Sequence, residues 1–443
     1  MIKIGRPYIY DKEGFAFLQA HVTITDEVVK VYSSLHKTYD KTHWRLYENY
    51  PPVEWSDSQK GLYFAVPAKY KEGLCADKAD AFVVAMLWYA MTTGSDIESE
   101  APVSEQLYAM VNNVLIPALC KTSHGLSPIK LISDTTNIVY SDVTAVGTGM
   151  SCGVDSLYTL QNWSKPELPK KYRLTHLTYL NMGAIFHPNT STNEIYSMED
   201  FYSITDEMSI EKLGNAQAVA DMAGLELVYV KSNLDRDYYR GAYGYTGVYR
   251  NCACILALQK MFSVYYCSSA GWPEFFELNL AEGSEHYESC LEDCISTEGL
   301  KFVNSDYATR WEKTVAIADN PIAHKYLDVC FNFKSCGTCN KCYRTLITLD
   351  LIGKLDLFEQ VFDIETYKKN RVEAYAWLLE MQDNPMTEDN AIYAREIYQH
   401  ALSLGRIPNE AFAIYRKRVL MKRMQSSICL RIYRKFKKMV KKH

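Results

Sequence analysis

From about residue 137 the chain alternates short apolar runs with amphipathic stretches, the pattern of parallel strands covered by helices. Residues 143–147, 174–180, 225–230 and 264–268 read as strands. Residues 156–162, 209–223 and 249–261 read as helical, the second closed by Gly224. The spacing predicts an α/β domain with a doubly wound parallel sheet. Upstream, residues 1–135 carry tyrosine-rich, strand-like runs and two helices expected over 77–91 and 104–119, an α+β accessory domain without a catalytic motif. The pattern loosens after about residue 274 into an acidic segment with Gly and Ser, read as a functional loop. A cysteine cluster at 330–342 and helices to about 417 follow. The expected domains are 1–135, 136–350 carrying the sheet and the cysteine cluster, a helical region at 351–415, and a basic amphipathic tail at 416–443.

Composition narrows the class. The 443 residues are 48% hydrophobic and 23% charged, as in an ordinary folded protein with a large core. The longest clean apolar run, residues 81–91, falls short of the ~20 residues needed to cross a bilayer. The N-terminus lacks the pattern of a signal peptide, so a cytoplasmic protein is expected. Thirteen cysteines in such a chain point to thiols and metal ligands and away from a disulfide framework. The net charge of −5 hides an asymmetry: residues 416–442 hold twelve Lys or Arg and no acid, leaving 36 basic against 53 acidic groups, a balance of −17. A body so acidic argues against sequence-specific nucleic-acid binding.

The most informative segment is Gly147-Thr148-Gly149-Met150-Ser151-Cys152-Gly153-Val154-Asp155-Ser156. It joins an expected strand to an expected helix, where backbone N–H groups and the helix dipole can hold an anion. Small residues at Gly147, Gly149, Ser151 and Gly153 allow close approach of phosphate, and the hydroxyls of Ser151 and Ser156 can donate to it. The Asp155 carboxylate makes sense there with a hard cation such as Mg2+ between it and the phosphates. No G-x-x-x-x-G-K-[ST] occurs. A left-handed backbone at position 152 would strain a cysteine, and an exposed Cys152 at the helix N-terminus would tend toward thiolate.

Cys330-x5-Cys336-x2-Cys339-x2-Cys342 supplies four thiols within thirteen residues, the ligand set of a tetrahedral Zn2+. Gly337 suits the tight turn, while Lys334, Lys341 and Arg344 could offset the negative charge. An iron–sulfur cluster is the competing occupant. Cys252, Cys254, Cys267, Cys290 and Cys294 read as core or loop thiols.

The run Ser151-Cys152-Gly153-Val154-Asp155-Ser156 resembles the Ser-Gly-Gly-x-Asp-Ser signature of the PP-loop ATP pyrophosphatases, with Cys152 at the first glycine. Followed some 175 residues later by four cysteines, it is similar to the 7-cyano-7-deazaguanine synthases and to synthase-like bacterial proteins of unassigned substrate, over about residues 140–350. The resemblance also covers Ala308-Thr309-Arg310-Trp311-Glu312-Lys313-Thr314 and the cysteine segment. It implies that residues 151–156 hold the phosphates of ATP, that adenine rests against Asn181-Met182-Gly183, and that Arg250 stands near nucleotide or substrate, unless it is a surface residue at a helix start. It also implies that Lys313 and Arg310 meet phosphate or substrate, with a solvated helix-face lysine as the alternative for Lys313. The 1–135 region and residues 281–290 depart from the synthases, so the reaction type transfers more readily than the product.

The expected reaction is attack of a small-molecule carboxylate on the α-phosphorus of ATP. Pyrophosphate leaves, and ammonia or an amine displaces AMP. The alternatives are a sulfur transferase of the same fold acting on a base or nucleotide, and a non-catalytic ATP-binding scaffold or sensor. His286 reads as a loop histidine, able to position a nucleophile or exposed to solvent. In the tail, Ile428, Ile432, Phe436 and Val440 recur every four residues among basic ones. This pattern suits an anionic inner-membrane surface, an acidic partner, or docking on the acidic body of the chain or of a second copy in a homodimer.

Overall fold

A computed structural model describes residues 1–25, 28, 59–122, 125–183, 198–239, 243–269, 276, 278, 283–330, 335–384 and 389–426. Its strands are β1 (Ile2–Ile4), β2 (Tyr8–Lys12), β3 (Phe15–Ile24), β4 (Gln59–Pro67), β5 (Ile97–Ser99), β6 (Val103–Ser104), β7 (Leu131–Ile132), β8 (Thr135–Thr136), β9 (Ala145–Gly149), β10 (His176–Asn181), β11 (Glu226–Ser232), β12 (Phe262–Cys267) and β13 (Lys301–Asn304). The helices are α1 (Asp80–Thr93), α2 (Glu105–Met110), α3 (Ile116–Thr122), α4 (Val154–Trp163), α5 (Met198–Ala223), α6 (Tyr243–Leu256), α7 (Glu288–Ile295), α8 (Arg310–Ile317), α9 (Pro321–Tyr326), α10 (Asn340–Leu351), α11 (Ile364–Met381), α12 (Asp389–Ser403) and α13 (Asn409–Ser426). The described residues form two compact units, one up to Thr309 and one from Arg310 onward.

In the first unit one sheet has the order β13-β12-β9-β10-β11-β4-β3-β1-β5-β7, with β2 on β3. The five strands from β13 to β11 are parallel neighbours. The first of them in sequence, β9, stands in their middle. The chain runs outward through β10 and β11, then returns to the other side of β9 for β12 and β13. The carboxyl end of β9 is therefore the point where strand order reverses, the place where open α/β sheets leave a crevice. The sheet is α/β and mostly parallel, as the alternating pattern predicts.

The N-terminal strands continue this sheet through an antiparallel seam. Lys231 and Ser232 of β11 pair with Ala65 and Phe64 of β4. Side chains fasten the seam: Ser232 Oγ donates to the Tyr63 carbonyl (2.7 Å), Asn233 Nδ2 to the Gly61 carbonyl (2.8 Å), and the Tyr63 amide to Asn233 Oδ1 (3.0 Å). Behind the sheet lies α1, apolar around its whole circumference and buried from Asp80 to Thr92. It packs against α6, whose Tyr249 to Leu256 stretch is buried apart from Asn251.

Strand alternation separates the faces. On β12, Tyr266 stacks on Trp163 of α4, ring centroids 3.8 Å apart, whereas Cys267 meets Cys252 of α6. Thus α4 and α6 cover opposite faces. Gly147 has a packing role: a Cβ there would stand 2.6 Å from the Phe262 ring. Its small size serves strand-to-strand contact and not the approach of an anion.

Most expected elements appear with shifted ends. One expectation is corrected: the acidic segment read as a loop contains a short turn at 284–287, then α7 and β13. The helix is only eight residues long, so its apolar stripe of Leu291, Cys294 and Ile295 spans two turns among three acids, Glu288, Glu292 and Asp293, too short a stretch to set it apart from a loop.

In the second unit, Asp350 of α10 is the shared acceptor for Arg371 Nε (2.7 Å) and the hydroxyls of Tyr367 and Tyr375 (3.2 Å each) from α11. The start of the basic stretch lies along the same helix. Arg418 of α13 meets Glu373 (2.5 Å) and Glu380 (3.5 Å), and Lys422 meets Glu380 (2.6 Å). Residues 427–443, with the four-residue repeat of Ile428 to Val440, lie outside the described residues. Among the described residues no helix is long and apolar enough to cross a membrane.

Candidate functional site

The bend between β9 and α4 is built by local chemistry. β9 ends as Met150 N–H donates to the Thr178 carbonyl of β10 (2.8 Å). The chain then turns through Cys152, which has φ +59°, one of two non-glycine residues with positive φ among those described. An L-residue there costs about 1–2 kcal/mol. Cys152 is 1% exposed, so burial of its side chain offsets part of that strain. It is not an exposed thiol at a helix N-terminus, and the condition for a lowered pKa there is not met.

Gly153 stands at the N-cap of α4 and offers no side chain to cap its first turn. The dipole and the N–H groups of that turn face the mouth of the bend. Ser151 Oγ accepts from the Gly153 amide and lies 3.3 Å from Ser156 Oγ, which itself donates to the Gly153 carbonyl (3.1 Å). Val154 is buried and Asp155 half-buried on the first turn of α4. The base is rigid: Trp163 Nε1 donates to the Ser305 carbonyl (2.9 Å), and Thr159 meets Ser305 Oγ (3.0 Å).

One strand away, the structure gathers Asn181, Met182, Gly183 and Arg250. Arg250 is 0% exposed, which removes the reading as a surface residue at a helix start. It lies eight residues into α6, donates to the Met182 carbonyl (3.1 Å), and pairs with Asp235 (2.8 Å). Its guanidinium sits 4.8 Å from the Tyr239 ring centroid. Gly183 has φ +95°, and a Cβ there would stand 2.4 Å from the Asp235 side chain. Arg250 therefore fixes the exit of β10. Asn181 and Gly183 line a cavity of about 360 Å3 whose other walls include Tyr63 of β4, Tyr229 and Lys231 of β11, and Ser209 of α5. Desolvation holds the Lys231 ammonium below the usual lysine range, and it lies 4.0 Å above the Phe15 ring. Tyr63, Tyr229 and Lys231 carried no sequence signal, because a long-range antiparallel seam brings them there.

The second unit holds the four cysteines. Cys330 and Cys339 sulfurs lie 3.9 Å apart, Cys336 and Cys342 sulfurs 4.0 Å, and all four lie within 4.8 Å of one another. A tetrahedral Zn2+ with bonds of about 2.3 Å has sulfur–sulfur edges of about 3.8 Å, so the cluster fits one such ion. Gly337 has φ +70°, as its place in the turn predicts. The Cys336 and Cys339 amides donate to the sulfurs of Cys330 (3.5 Å) and Cys336 (3.3 Å). Hydrogen bonding with Cys330 pushes the Cys339 thiol up to about 11, so four thiolates coexist only around a cation. The cluster is a site for a metal such as zinc. Arg344 lies over the Tyr393 ring at 4.3 Å, and Lys334 lies outside the described residues.

Arg310 and Lys313 also belong to this unit, on α8. Arg310 stands 5.3 Å from the Tyr393 ring centroid. Lys313 is 2% exposed, which removes its reading as a solvated helix-face lysine. His286 is half-buried in the 284–287 turn of the first unit.

No family model, curated protein or solved structure matches the chain.

Proposed function

We propose that the chain is an ATP-dependent ligase of the PP-loop pyrophosphatase type, with chemistry like that of the 7-cyano-7-deazaguanine synthases. It adenylates a small-molecule carboxylate, releases pyrophosphate and passes the acyl group to ammonia or an amine. One observation carries the reading: a strained left-handed bend at Cys152 joins β9 to the glycine N-cap of α4 where strand order reverses. Strain of this kind persists where surrounding structure enforces it, and an anion site is a physical reason to enforce it.

In this reading the amides of residues 153–156, with Ser151 and Ser156, hold the triphosphate. Asp155 would hold Mg2+, which supplies charge neutralisation of the phosphates. The adenosine half occupies the cavity at Asn181 and Gly183, whose shape Arg250 maintains. A carboxylate needs no activation at pH 7, so the first step asks the chain chiefly for positioning. The zinc site is structural, and the basic residues beyond Ser426 would serve attachment to an anionic surface or acidic partner.

The test is isotopic pyrophosphate exchange into ATP with candidate carboxylates. AMP and pyrophosphate are expected as products, and Asp155→Asn should lower exchange at least ~100-fold, about 2.7 kcal/mol. Production of ADP overturns the proposal.

One observation favours a second reading, sulfur transfer. A hydrogen bond from Cys294, one turn along α7, lowers the Cys290 thiol to about 7. Under that reading Cys290→Ser abolishes turnover, whereas the ligase tolerates it.

A further inference from the structure

The carboxyl ends of β12 and β13 hold a buried cluster that the reading above leaves unused. Glu288 and Glu292 of α7 are 7% and 2% exposed. Ser269 Oγ (2.7 Å) and Asn304 Nδ2 (3.2 Å) both donate to one oxygen of Glu288. Asn304 also meets Ser289 (3.2 Å). The cluster's donors are thus spent on Glu288. Neither oxygen of Glu292 meets an N–H or O–H donor among the described residues; its one polar neighbour is the weakly hydrogen-bonding Cys267 thiol. Ser268 Oγ, next in the chain, is buried without a partner. A buried carboxyl left with a thiol as its sole partner is poorly compensated unless something supplies stronger donors.

The position is informative. Tyr266 of β12 pairs with Thr148 of β9, so Cys267 stands level with Gly149, one strand from the bend. Cys267 pairs in turn with Asn304 of β13. The cluster lies on the α6 face, opposite α4. Two thiols, Cys267 and Cys252, flank it and make a poor shell for a hard metal ion, which wants six or more oxygens. The missing partner is a small cation that brings N–H donors of its own.

We propose that Glu292, beside Glu288 at the end of β12, binds an ammonium ion or the protonated head of a primary amine. The binding claim stands on the cluster's geometry; its catalytic use rests on the ligase reading. There Glu292 takes one proton from the bound ammonium. The freed nitrogen lone pair forms a C–N bond to the acyl carbon, the C–O bond to AMP breaks, AMP leaves with the electron pair, and a second nitrogen proton passes to solvent. The nitrogen donor thus enters from the α6–α7 face and the nucleotide from the α4–α5 face.

The pH behaviour follows from the groups facing Glu292. Burial first, then the neighbouring Cys267 on β12 and Glu288 on α7, raise its carboxyl well above the usual range, with Cys252 of α6 behind Cys267. Protons therefore compete with ammonium, and binding should strengthen as pH rises from 6 to 8.5.

The test is thermal unfolding of the full chain in ammonium chloride or methylammonium chloride against sodium chloride at equal ionic strength, for wild type and Glu292→Gln. Ammonium should raise the wild-type melting temperature above sodium, more at pH 8.5 than at 6, and the isosteric variant should lose that difference while folding normally. Should Glu292→Gln fail to fold, Glu292→Asp, which draws the carboxylate back by one methylene, should weaken the ammonium effect at least fivefold. Equal responses to ammonium and sodium, as for a site holding water, or an undiminished ammonium effect in a folded variant, overturn the proposal. These readouts need no turnover, so failure of the ligase reading is seen separately, in the exchange assay. If turnover is found, Glu292→Gln should raise the KM for ammonium at least tenfold.

Discussion

Two turns in this chain use the same left-handed backbone and fill it differently. At the cysteine cluster the position is Gly337, φ +70°; at the bend after β9 it is Cys152, φ +59°. Glycine takes this conformation freely, so the metal turn is preformed at little cost and its energy comes from the ion. Cysteine pays the clash of its β-carbon, and the bend persists because β9, β10 and α4 hold it from three sides. One turn is made stable by what it binds. The other is kept strained by the fold, whatever it binds.

The comparison can be pressed by substitution. The largest effect is expected from Cys342→Ser or chelation, which removes the ion and should cost the second unit about 5 kcal/mol or more. Metal content by mass spectrometry and the melting transition report it together. Because Cys339 sits at about 11 without a cation, protons compete with the metal, and affinity should fall steeply as pH is lowered. Metal retained after loss of a ligand cysteine would undo the metal half of the comparison.

Next comes Arg250→Met, which removes the buried ion pair of Asp235 beside Gly183. Breaking a buried pair costs about 3–5 kcal/mol, measurable by urea unfolding. If the first unit loses under 1 kcal/mol, Arg250 does not fix the exit of β10. Gly337→Ala should cost about 1–2 kcal/mol through the backbone alone, since nothing within 3.4 Å opposes the new methyl group. Smallest is Cys152→Gly, where relief of strain and loss of a buried side chain nearly cancel, within about 1 kcal/mol. A variant at position 152 losing several kcal/mol would show that packing, not strain, dominates there.

Features set by neighbours in sequence were legible. Gly224 closes α5 with φ +66°, the cysteine spacing brings four sulfurs together, and the alternation of strand and helix marks the parallel sheet. Features set by distant pairing were not. Nothing near Tyr63 announces that β4 will join β11, because register across an antiparallel seam depends on residues some 170 positions apart. Glu288 and Glu292 fall in the acidic segment read as a loop; only the closure of α7 over β12 buries them. Arg250 and Lys313 show the same limit, as a cation's burial depends on partners that local pattern does not reveal.

The antiparallel seam bears on how this protein can be cut. A fragment beginning near residue 136 would keep every residue of the bend, yet it would strip β11 of its neighbour and leave the backbone of Lys231 and Ser232 as an open rim. Such a rim recruits other chains, so the shortened protein should precipitate or self-associate. What looks like an appended module is the selvedge of the fabric, and the parallel half of the sheet cannot be unpicked from it.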